Sequence, residues 1–350
     1  MEATPESGGF RDEDDAMNKI TNHMPTAELQ ALDAAHHMHP FTENASLAKK
    51  GARIMTAGKG VWLTDSEGNK IIDGMAGLWC VNIGYGRTEL GDVAKAQMDQ
   101  LAYYNTFFQT SHVPAIALAA KIAEIAPKGM RHVFFAGSGS EANDTNNRMV
   151  RRYWDIKGQS EKRIIIARNN GYHGSTIGGG SLGGMPGIHA HGGKIAGVVH
   201  IGEPNWWAQG GEMTPEAFGL MRAQELESMI LNLGVENVAA FIGEPVQGAG
   251  GVIIPPSTYW PEIQRIVDKY GILLIAMRAQ HFGNLIADDR AADRLIARRQ
   301  AFGDGHDMRA DAIGLAAKPV AGATKAGDDL VGDQQDAVFV DDALNFRPVG

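Results

Sequence analysis

A glycine- and serine-rich loop, Gly-Ser-Gly-Ser-Glu at positions 137–141, joins a predicted strand to a predicted helix. Backbone N–H groups at the start of a helix carry partial positive charge, so such a loop favours a phosphate. The backbone amides and hydroxyls of this loop would point at a ligand bound there. On this loop alone, Ser140 is equally consistent with an ordinary N-cap and the glycines with an ordinary turn.

Three further loops carry residue types that hold an aromatic, phosphorylated ligand. They are Gly-Tyr-His-Gly at 171–174, Gly-Glu-Pro-Val-Gln-Gly at 243–248 and Gly-Leu-Trp-Cys at 77–80. The ring of Tyr172 can stack on another ring, and Glu244 ends a predicted strand, where it would meet a ring substituent. Taken singly, Tyr172 is also consistent with a surface aromatic and Glu244 with a solvated carboxylate. The loops together favour a binding site.

Strands and helices alternate between these loops. Strand patterns occur at His132–Ala136, Arg163–Ala167, Val198–Ile201, Val238–Glu244 and Ile272–Ala276. Helix patterns occur at Pro114–Ala126, Glu141–Trp154, Pro215–Leu233 and Ser257–Lys269. This order predicts an α/β fold, a mostly parallel sheet with helices on both faces. Ligands of such sheets bind at the carboxyl ends of the strands, where these loops lie.

The N-terminal quarter has a different character. Residues 1–25 are acidic, have little to bury and are predicted to form a mobile arm. Residues 26–75 are predicted to form an N-terminal segment. Apolar residues recur at helical spacing over Thr26–His37, which predicts a short amphipathic packing helix. Alternating residues around a turn predict a small β-ribbon over Gly60–Asp73.

Charge and composition exclude several classes of partner. The net charge is −9, and nucleic-acid binding needs a basic surface that releases counterions. The single cysteine, Cys80, cannot form an internal disulfide, and no apolar run reaches the 18 or so residues of a membrane span. We therefore expect a cytoplasmic protein with neither a nucleic-acid nor a membrane partner, and we predict no metal site.

The runs at 135–144, 170–174 and 243–248 resemble those of class III, fold-type I aminotransferases, which depend on pyridoxal 5′-phosphate. The resemblance extends from about residue 25 to Ala276. Within this family, the runs at 75–82 and 103–108 are most similar to the branch that transfers an amino group from ω-amino acids such as β-alanine to pyruvate. Residues 76–276 would then be part of the large cofactor-binding domain.

The resemblance implies roles for particular residues. Gly139 and Ser140 would contact the cofactor phosphate, Tyr172 would stack on the pyridine ring, and Glu244 would lie beside its phenolic oxygen. His173 is as consistent with a packed neighbour as with a participant.

The substrate pocket would be walled by Trp79 and, with less support, by Phe41 and Phe107. The partners implied are a small amino donor, pyruvate and a second copy of the chain, because members of this family pair across an interface that builds both active sites.

The sequence departs from the family after Ala276. The chemistry needs a Schiff-base lysine and a carboxylate that keeps the pyridine nitrogen protonated, so that the ring can accept electrons. The family has Asp-Glu-Val directly after this strand, whereas this chain has Met277. The Lys-Gly-Leu segment is also missing. No catalytic lysine is therefore assigned, and Lys318 and Lys325 are not given that role.

The composition changes at the same place. Residues 277–350 contain 12 Asp and no Glu, Tyr or Trp. We asked which residues the complementary DNA strand could encode if it is read backwards from the codon of Gly350 to that of Gly332. At all 19 positions the possible codons permit the residue found in the sequence Thr258–Ala276. Farther back, Val331 mirrors an aspartate codon and Phe302 a lysine codon, within the two missing motifs. The genetic code thus predicts that residues 277–350 are encoded by an inverted copy of the gene, and that they replace the small domain with a disordered or irregular tail.

We therefore expect a catalytically inactive chain, prone to aggregate or to remain unassembled because core surface is exposed. A second hypothesis is a non-catalytic fragment that pairs with an intact aminotransferase subunit. A nucleotide-binding role for the loop at 137–141 is disfavoured, because this loop lacks the Gly-Lys-Ser/Thr ending of a P-loop.

Overall fold

The computed structural model describes residues 24–127, 129–277 and, as a strand, 337–341. The chain divides into two compact units, Met1–Lys95 and Ala96–Gly350. The predicted N-terminal arm lies almost entirely outside the described residues, as does most of the predicted tail.

In the described residues of the first unit, a three-stranded antiparallel sheet is accompanied by three short helices. The strands are β1 (Met55–Lys59), β2 (Trp62–Asp65) and β3 (Lys70–Ile72), and the helices are α1 (Thr26–His36), α2 (Asn44–Lys50) and α3 (Ala76–Trp79). The predicted helix and β-ribbon are both present. No residue of α1 is fully buried, and Leu29 and Leu32 are only half-buried, so this helix packs more loosely than its pattern predicts.

The helical turn α3 is unusual because all four of its residues have positive φ, between 48° and 69°. Asp73 holds this turn. Its Oδ1 accepts the N–H of Met75 at 3.1 Å, and its Oδ2 accepts the N–H of Gly77 at 2.6 Å and the hydroxyl of Tyr85 at 2.7 Å. Left-handed backbone is costly for residues with a Cβ, so these hydrogen bonds offset a strained conformation.

The helix α4 (Thr88–Leu101) crosses the division between the units, and the remaining elements belong to the second unit. The helices are α5 (Val113–Ile125), α6 (Gly139–Ile156), α7 (Ile177–Leu182), α8 (Pro186–His189), α9 (Trp206–Gln209), α10 (Pro215–Leu233) and α11 (Tyr259–Tyr270), with a 3₁₀ turn at Val235–Asn237. The strands are β4 (Met130–Phe135), β5 (Ile164–Arg168), β6 (Val198–Ile201), β7 (Val238–Gly243), β8 (Leu273–Ala276) and β9 (Ala337–Asp341).

A four-stranded parallel sheet forms the centre of this unit, with the strand order β6-β5-β7-β8. All six residues of β7 are buried, as expected for a strand covered on both faces. Side chains alternate between the faces: Phe241 packs in the core cluster that contains α10 and α11, and Ile242 in the cluster with Trp154 of α6. The structure therefore confirms the predicted α/β fold with helices on both faces.

The predicted strand at His132–Ala136 is present as β4, but it is not covered on both faces as the predicted parallel sheet implied. Its residues are half-buried or exposed, and Phe134 is 45% exposed. The strand pairs antiparallel with β9 in a separate two-stranded sheet. Within the described residues β4 pairs with none of the parallel strands, so its faces are less covered.

The strand β9 also departs from the irregular structure predicted for residues 277–350. Its sequence, Ala-Val-Phe-Val-Asp, is rich in residues that favour strands, and Phe135 pairs with Ala337 and His132 with Val340. Short apolar segments pair with open strand edges whatever their origin.

In the described part of the chain, no helix combines the length and apolar character that crossing a membrane requires.

Candidate functional site

The loops that follow β4 and β5 meet at the start of α6. Ser138 caps this helix by accepting the N–H of Glu141 at 3.2 Å, and Gly139 and Ser140 are its first two residues. The helix therefore begins two residues earlier than predicted. The Oγ of Ser140 accepts the N–H of Ser175 from the loop after β5, at 3.0 Å. Gly139 and Ser140 thus place helix N-terminal N–H groups against the loop at 171–176.

Gly174 allows this close approach. Its φ is +115°, and a Cβ at this position would lie 2.5 Å from the Oγ of Ser140 and 2.7 Å from its Cα. A side chain at residue 174 would therefore separate the two loops. This contact explains why a glycine occupies the last position of Gly-Tyr-His-Gly.

Glu244 joins the loops after β5 and β7. Its side chain is buried, with Oε1 accepting the N–H of Tyr172 at 2.9 Å and Oε2 accepting the N–H of Gly248 at 3.0 Å. Burial raises the pKa of Glu244, and these two N–H groups oppose the rise. The alternative of a solvated carboxylate was therefore wrong. Tyr172, with its ring half-buried, is held beside Glu244 through its own main chain.

His173 and Met277 are in direct contact behind these loops. Met277 extends β8, with its N–H bonded to the carbonyl of Gly243 at 3.0 Å. Its Sδ lies 3.0 Å from Nδ1 of His173 and 3.0 Å from Nδ2 of Asn143. A thioether sulfur only accepts hydrogen bonds, so Nδ1 of His173 carries the proton.

The imidazole of His173 is 1% exposed, and burial, with Arg168 and His200 nearby, lowers its pKa to about 3. A neutral ring that donates to Met277 and lies fully inside the protein fits the packed-neighbour alternative for His173.

Arg168 is a buried residue that sequence reasoning missed. Its guanidinium donates to the main-chain oxygen of Glu244 and lies over the rings of Tyr259 and Trp260, at 5.7 and 5.2 Å from their centroids. Among the described residues, no acceptor forms a hydrogen bond with its Nε or Nη1. The sequence does mark Arg168 as unusual, because a charged side chain follows directly on a run of buried apolar residues in the same strand.

The predicted pocket residues are less buried than the cofactor loops. Phe107 is 69% exposed in the second unit. Phe41, which is 77% exposed, and Trp79, which is half-buried in the strained turn α3, belong to the first unit. Their roles as pocket walls stay predictions.

The arrangement fits one part of pyridoxal phosphate and not another. Gly139 and Ser140 supply helix N-terminal N–H groups and a hydroxyl, the donors that a phosphate needs. At the carboxyl end of β8 the acceptor is unsuitable, because the thioether of Met277 has no negative charge with which to hold a protonated ring nitrogen. The described residues therefore suit the phosphate of the cofactor and lack the partner for its ring nitrogen.

Comparisons with known proteins agree with this geometry. The model of the class III aminotransferase family matches residues 45–278. The chain is 58% identical over 261 residues to the putrescine–pyruvate aminotransferase of Pseudomonas aeruginosa, covering 74% of the chain and 57% of that protein. It is 38% identical over 262 residues to the β-alanine–pyruvate aminotransferase of the same organism, covering 74% and 57%.

Solved structures agree as well. The (S)-enantioselective ω-transaminase of Thermomicrobium roseum superposes with a TM-score of 0.70 at 44% identity, covering 72% of this chain and 57% of that one. An ω-transaminase of Pseudomonas jessenii in complex with PMP gives a TM-score of 0.69 at 42% identity, covering 71% and 55%. The chain thus spans less than three-fifths of the length of each of these relatives, and over that part its sequence and fold place it in the class III aminotransferase family.

Proposed function

We propose that this sequence derives from an aminotransferase that moves an amino group from an ω-amino acid or a diamine to pyruvate. Pyridoxal phosphate is the cofactor of class III aminotransferases. The 58% identity to a putrescine–pyruvate aminotransferase and the matches to ω-transaminases support this substrate class, in keeping with the β-alanine branch inferred from residues 75–82 and 103–108. A cytoplasmic location and a homodimer are parts of the same proposal.

We further propose that the 350-residue chain itself is inactive. The contact of Met277 with His173 and Asn143 carries this proposal, because it fills the end of β8 with a neutral thioether. The cofactor supplies an electron sink while its ring nitrogen stays protonated, and the resemblance to the family implies that a carboxylate keeps it so. The match to the family also ends at residue 278, before any counterpart of the lysine segment.

The test compares two chains. The first is the 350-residue protein, and the second joins residues 1–276 to the whole of the putrescine–pyruvate aminotransferase of Pseudomonas aeruginosa that follows its counterpart of Ala276. Each is incubated with pyridoxal phosphate, pyruvate and either putrescine or β-alanine, and alanine formation is measured. We expect alanine only from the second chain. Alanine from the 350-residue chain would refute its inactivity, and none from a folded second chain would refute the substrate class.

Sequencing the source DNA across the codons for Ala276 and Met277 tests the inverted-copy prediction separately. Reading directly into codons for Asp-Glu-Val would show that residues 277–350 are an artefact of assembly and that the gene encodes the intact enzyme. Reading into the Met277 codon would establish a rearranged gene.

A non-catalytic partner is the second candidate function. Tyr103, Phe107 and Phe108 are 81%, 69% and 92% exposed, which is a large amount of aromatic surface for one short segment. Such a surface fits pairing with an intact subunit. Co-expression of the tagged chain with an intact class III aminotransferase checks this, and recovery of the chain alone would exclude it.

A further inference from the structure

Two histidines and an aspartate converge at the end of α1, far along the chain from the cofactor loops. Nδ1 of His37 lies 3.0 Å from Oδ1 of Asp33, and Nε2 of His39 lies 2.9 Å from both carboxylate oxygens. The two imidazole rings are 4.2 Å apart between centroids. We call these three residues the Asp33 cluster.

The Asp33 cluster has the ligand types and the spacing of a transition-metal site. Its three ligand atoms all lie within 4.8 Å of one another. Among the described residues, this is the group of three His, Cys, Asp or Glu side chains close enough to share a metal ion. His37 is the residue directly after α1, and its N–H bonds to the carbonyl of Asp33, which places its ring beside that side chain. Two imidazoles and a carboxylate suit zinc and similar ions, whereas calcium and magnesium prefer oxygen ligands.

The distances are close to those of a bound ion. Zinc binds nitrogen and oxygen at about 2.0–2.2 Å in a tetrahedron, which separates neighbouring ligand atoms by roughly 3.3–3.5 Å. The Asp33 contacts, at 2.9–3.0 Å, need to open by only a few tenths of an ångström. His37 is 62% exposed, so an ion can enter from solvent.

The backbone around His39 is fixed in place. Asn44 accepts the N–H of His39 on Oδ1 at 3.0 Å and donates from Nδ2 to the carbonyl of the same residue at 3.2 Å. The N–H of His37 bonds to the carbonyl of Asp33 at 2.9 Å. The main chain at His37 and His39 is therefore held by hydrogen bonds with Asp33 and with the Asn44 side chain, and little ordering remains for ion binding.

We propose that Asp33, His37 and His39 bind one Zn²⁺ ion through a carboxylate oxygen, Nδ1 and Nε2, with water as the fourth ligand. On binding, each imidazole turns the lone pair of its Asp33-facing nitrogen to the ion. The proton that it donated to Asp33 moves, through solvent, to the other ring nitrogen. The carboxylate balances one of the two positive charges of the ion.

The test titrates the metal-free 350-residue chain with Zn²⁺ in competition with a chromogenic chelator. His39→Gln keeps an amide that donates to Asp33 but ligates poorly, and Asp33→Asn removes the charge. His36→Ala is the control, because His36 is exposed on the same helix and lies outside the cluster. We expect one Zn²⁺ per chain and a dissociation constant raised at least about tenfold in either cluster variant, since loss of even an outer-sphere partner costs 10–100-fold.

A second measurement reports geometry. Co²⁺ bound to the full chain and to His36→Ala should show the visible bands of a tetrahedral ion, and His39→Gln should lose them. Circular dichroism checks that each variant keeps its helix content. Equal Zn²⁺ affinity in the chain and in His39→Gln would overturn the site. An effect of His36→Ala as large as that of the cluster variants would overturn it as well.

Discussion

At the carboxyl end of β8, the side chain of Met277 occupies a half-buried position between Asn143 and His173. The residues around it are still arranged to serve an acceptor: Nδ1 of His173 and Nδ2 of Asn143 both point at its Sδ. Sulfur is a weak acceptor, so Nδ1 of His173 is poorly satisfied in a buried place, whereas Nδ2 of Asn143 also donates to the main-chain oxygen of His173 at 2.9 Å. The surroundings therefore suit a carboxylate better than the residue they hold.

We predict that Met277→Asp strengthens pyridoxal phosphate binding to the full chain by about tenfold or more, because a hydrogen bond to a charged group contributes about 1.5–3 kcal/mol. Equilibrium dialysis followed by absorbance of the cofactor measures the dissociation constant. Met277→Leu keeps the size without the charge and is the control. Equal affinity in the aspartate and leucine variants would show that residue 277 does not reach the ring.

The lowered pKa of His173 predicts that the free energy of unfolding depends on pH. The pKa of this residue is about 3 in the folded chain against 6.5 for an ordinary histidine, so the unfolded state binds more protons between these values. Its contribution to stability is therefore complete above pH 6.5 and declines as the pH falls towards 3, by up to about 1.4 kcal/mol per pH unit.

His173→Gln should accordingly flatten the rise in the free energy of unfolding between about pH 4 and 6, since this variant has no proton to bind there. Urea denaturation at several pH values gives the slopes. His191→Gln changes an exposed histidine and should keep the slope of the parent chain. If His173→Gln and His191→Gln have the same slope, the buried ring does not control acid stability.

At the scale of elements, the sequence predicted most of the second unit. Helix α10 has the predicted bounds, and β5, β7, β8 and α11 differ from theirs by one or two residues. These elements bury a regular apolar pattern in the cores on the two faces of the sheet, so local periodicity and tertiary packing agree.

Sequence reasoning did less well where a long-range contact decides the structure. The burial of Glu244 depends on N–H groups from two loops, and Met277 meets Asn143 across 134 residues of chain. The pairing of β4 with β9 joins segments that no local pattern relates. Residue types alone marked Gly139, Ser140, Tyr172 and Glu244, but not the buried network behind them.

The turn α3 gives a prediction for the first unit. Leu78 has φ of 59° and is 63% exposed, so its side chain gains little from packing while its backbone is strained. We expect Leu78→Gly to stabilise the unit by about 0.5–1 kcal/mol. Glycine removes the cost of left-handed backbone for leucine, and the greater conformational entropy of glycine in the unfolded chain offsets part of this gain.

Hydrogen exchange of β1, β2 and β3 measures this effect as slower exchange. Ile83→Gly is the matched control, because Ile83 is also half-exposed but does not have positive φ. It should accelerate exchange. Faster exchange in Leu78→Gly as well would mean that the turn is not strained.

At the scale of the whole molecule, the chain has an ordered sheet with an open side. The strand β8 pairs with β7 and, within the described residues, with no further strand. The strand β4 uses β9 as its partner instead. Unpaired strand edges tend to bind other chains. In this molecule, β9 covers one edge of β4 and so reduces the exposed edge.

We predict that ending the chain at residue 336 removes protection from β4 alone. Amides of Met130–Phe135 should exchange faster in the shortened chain, because the hydrogen bonds to β9 are lost, while those of β7 stay slow. Hydrogen exchange with mass spectrometry resolves the two strands. Unchanged exchange in β4 would show that β9 contributes nothing to the fold.

The side chain of Glu244 joins the loops after β5 and β7, and the position of these loops in the chain has an evolutionary consequence. The groups that hold these loops together, from Ser138 to Gly248, all precede Met277 in the chain. If residues 277–350 come from an inverted copy, as we predict, the rearrangement would leave this arrangement of loops intact. To become a binding protein, such a fragment would need new cover for its strand edges rather than new loops.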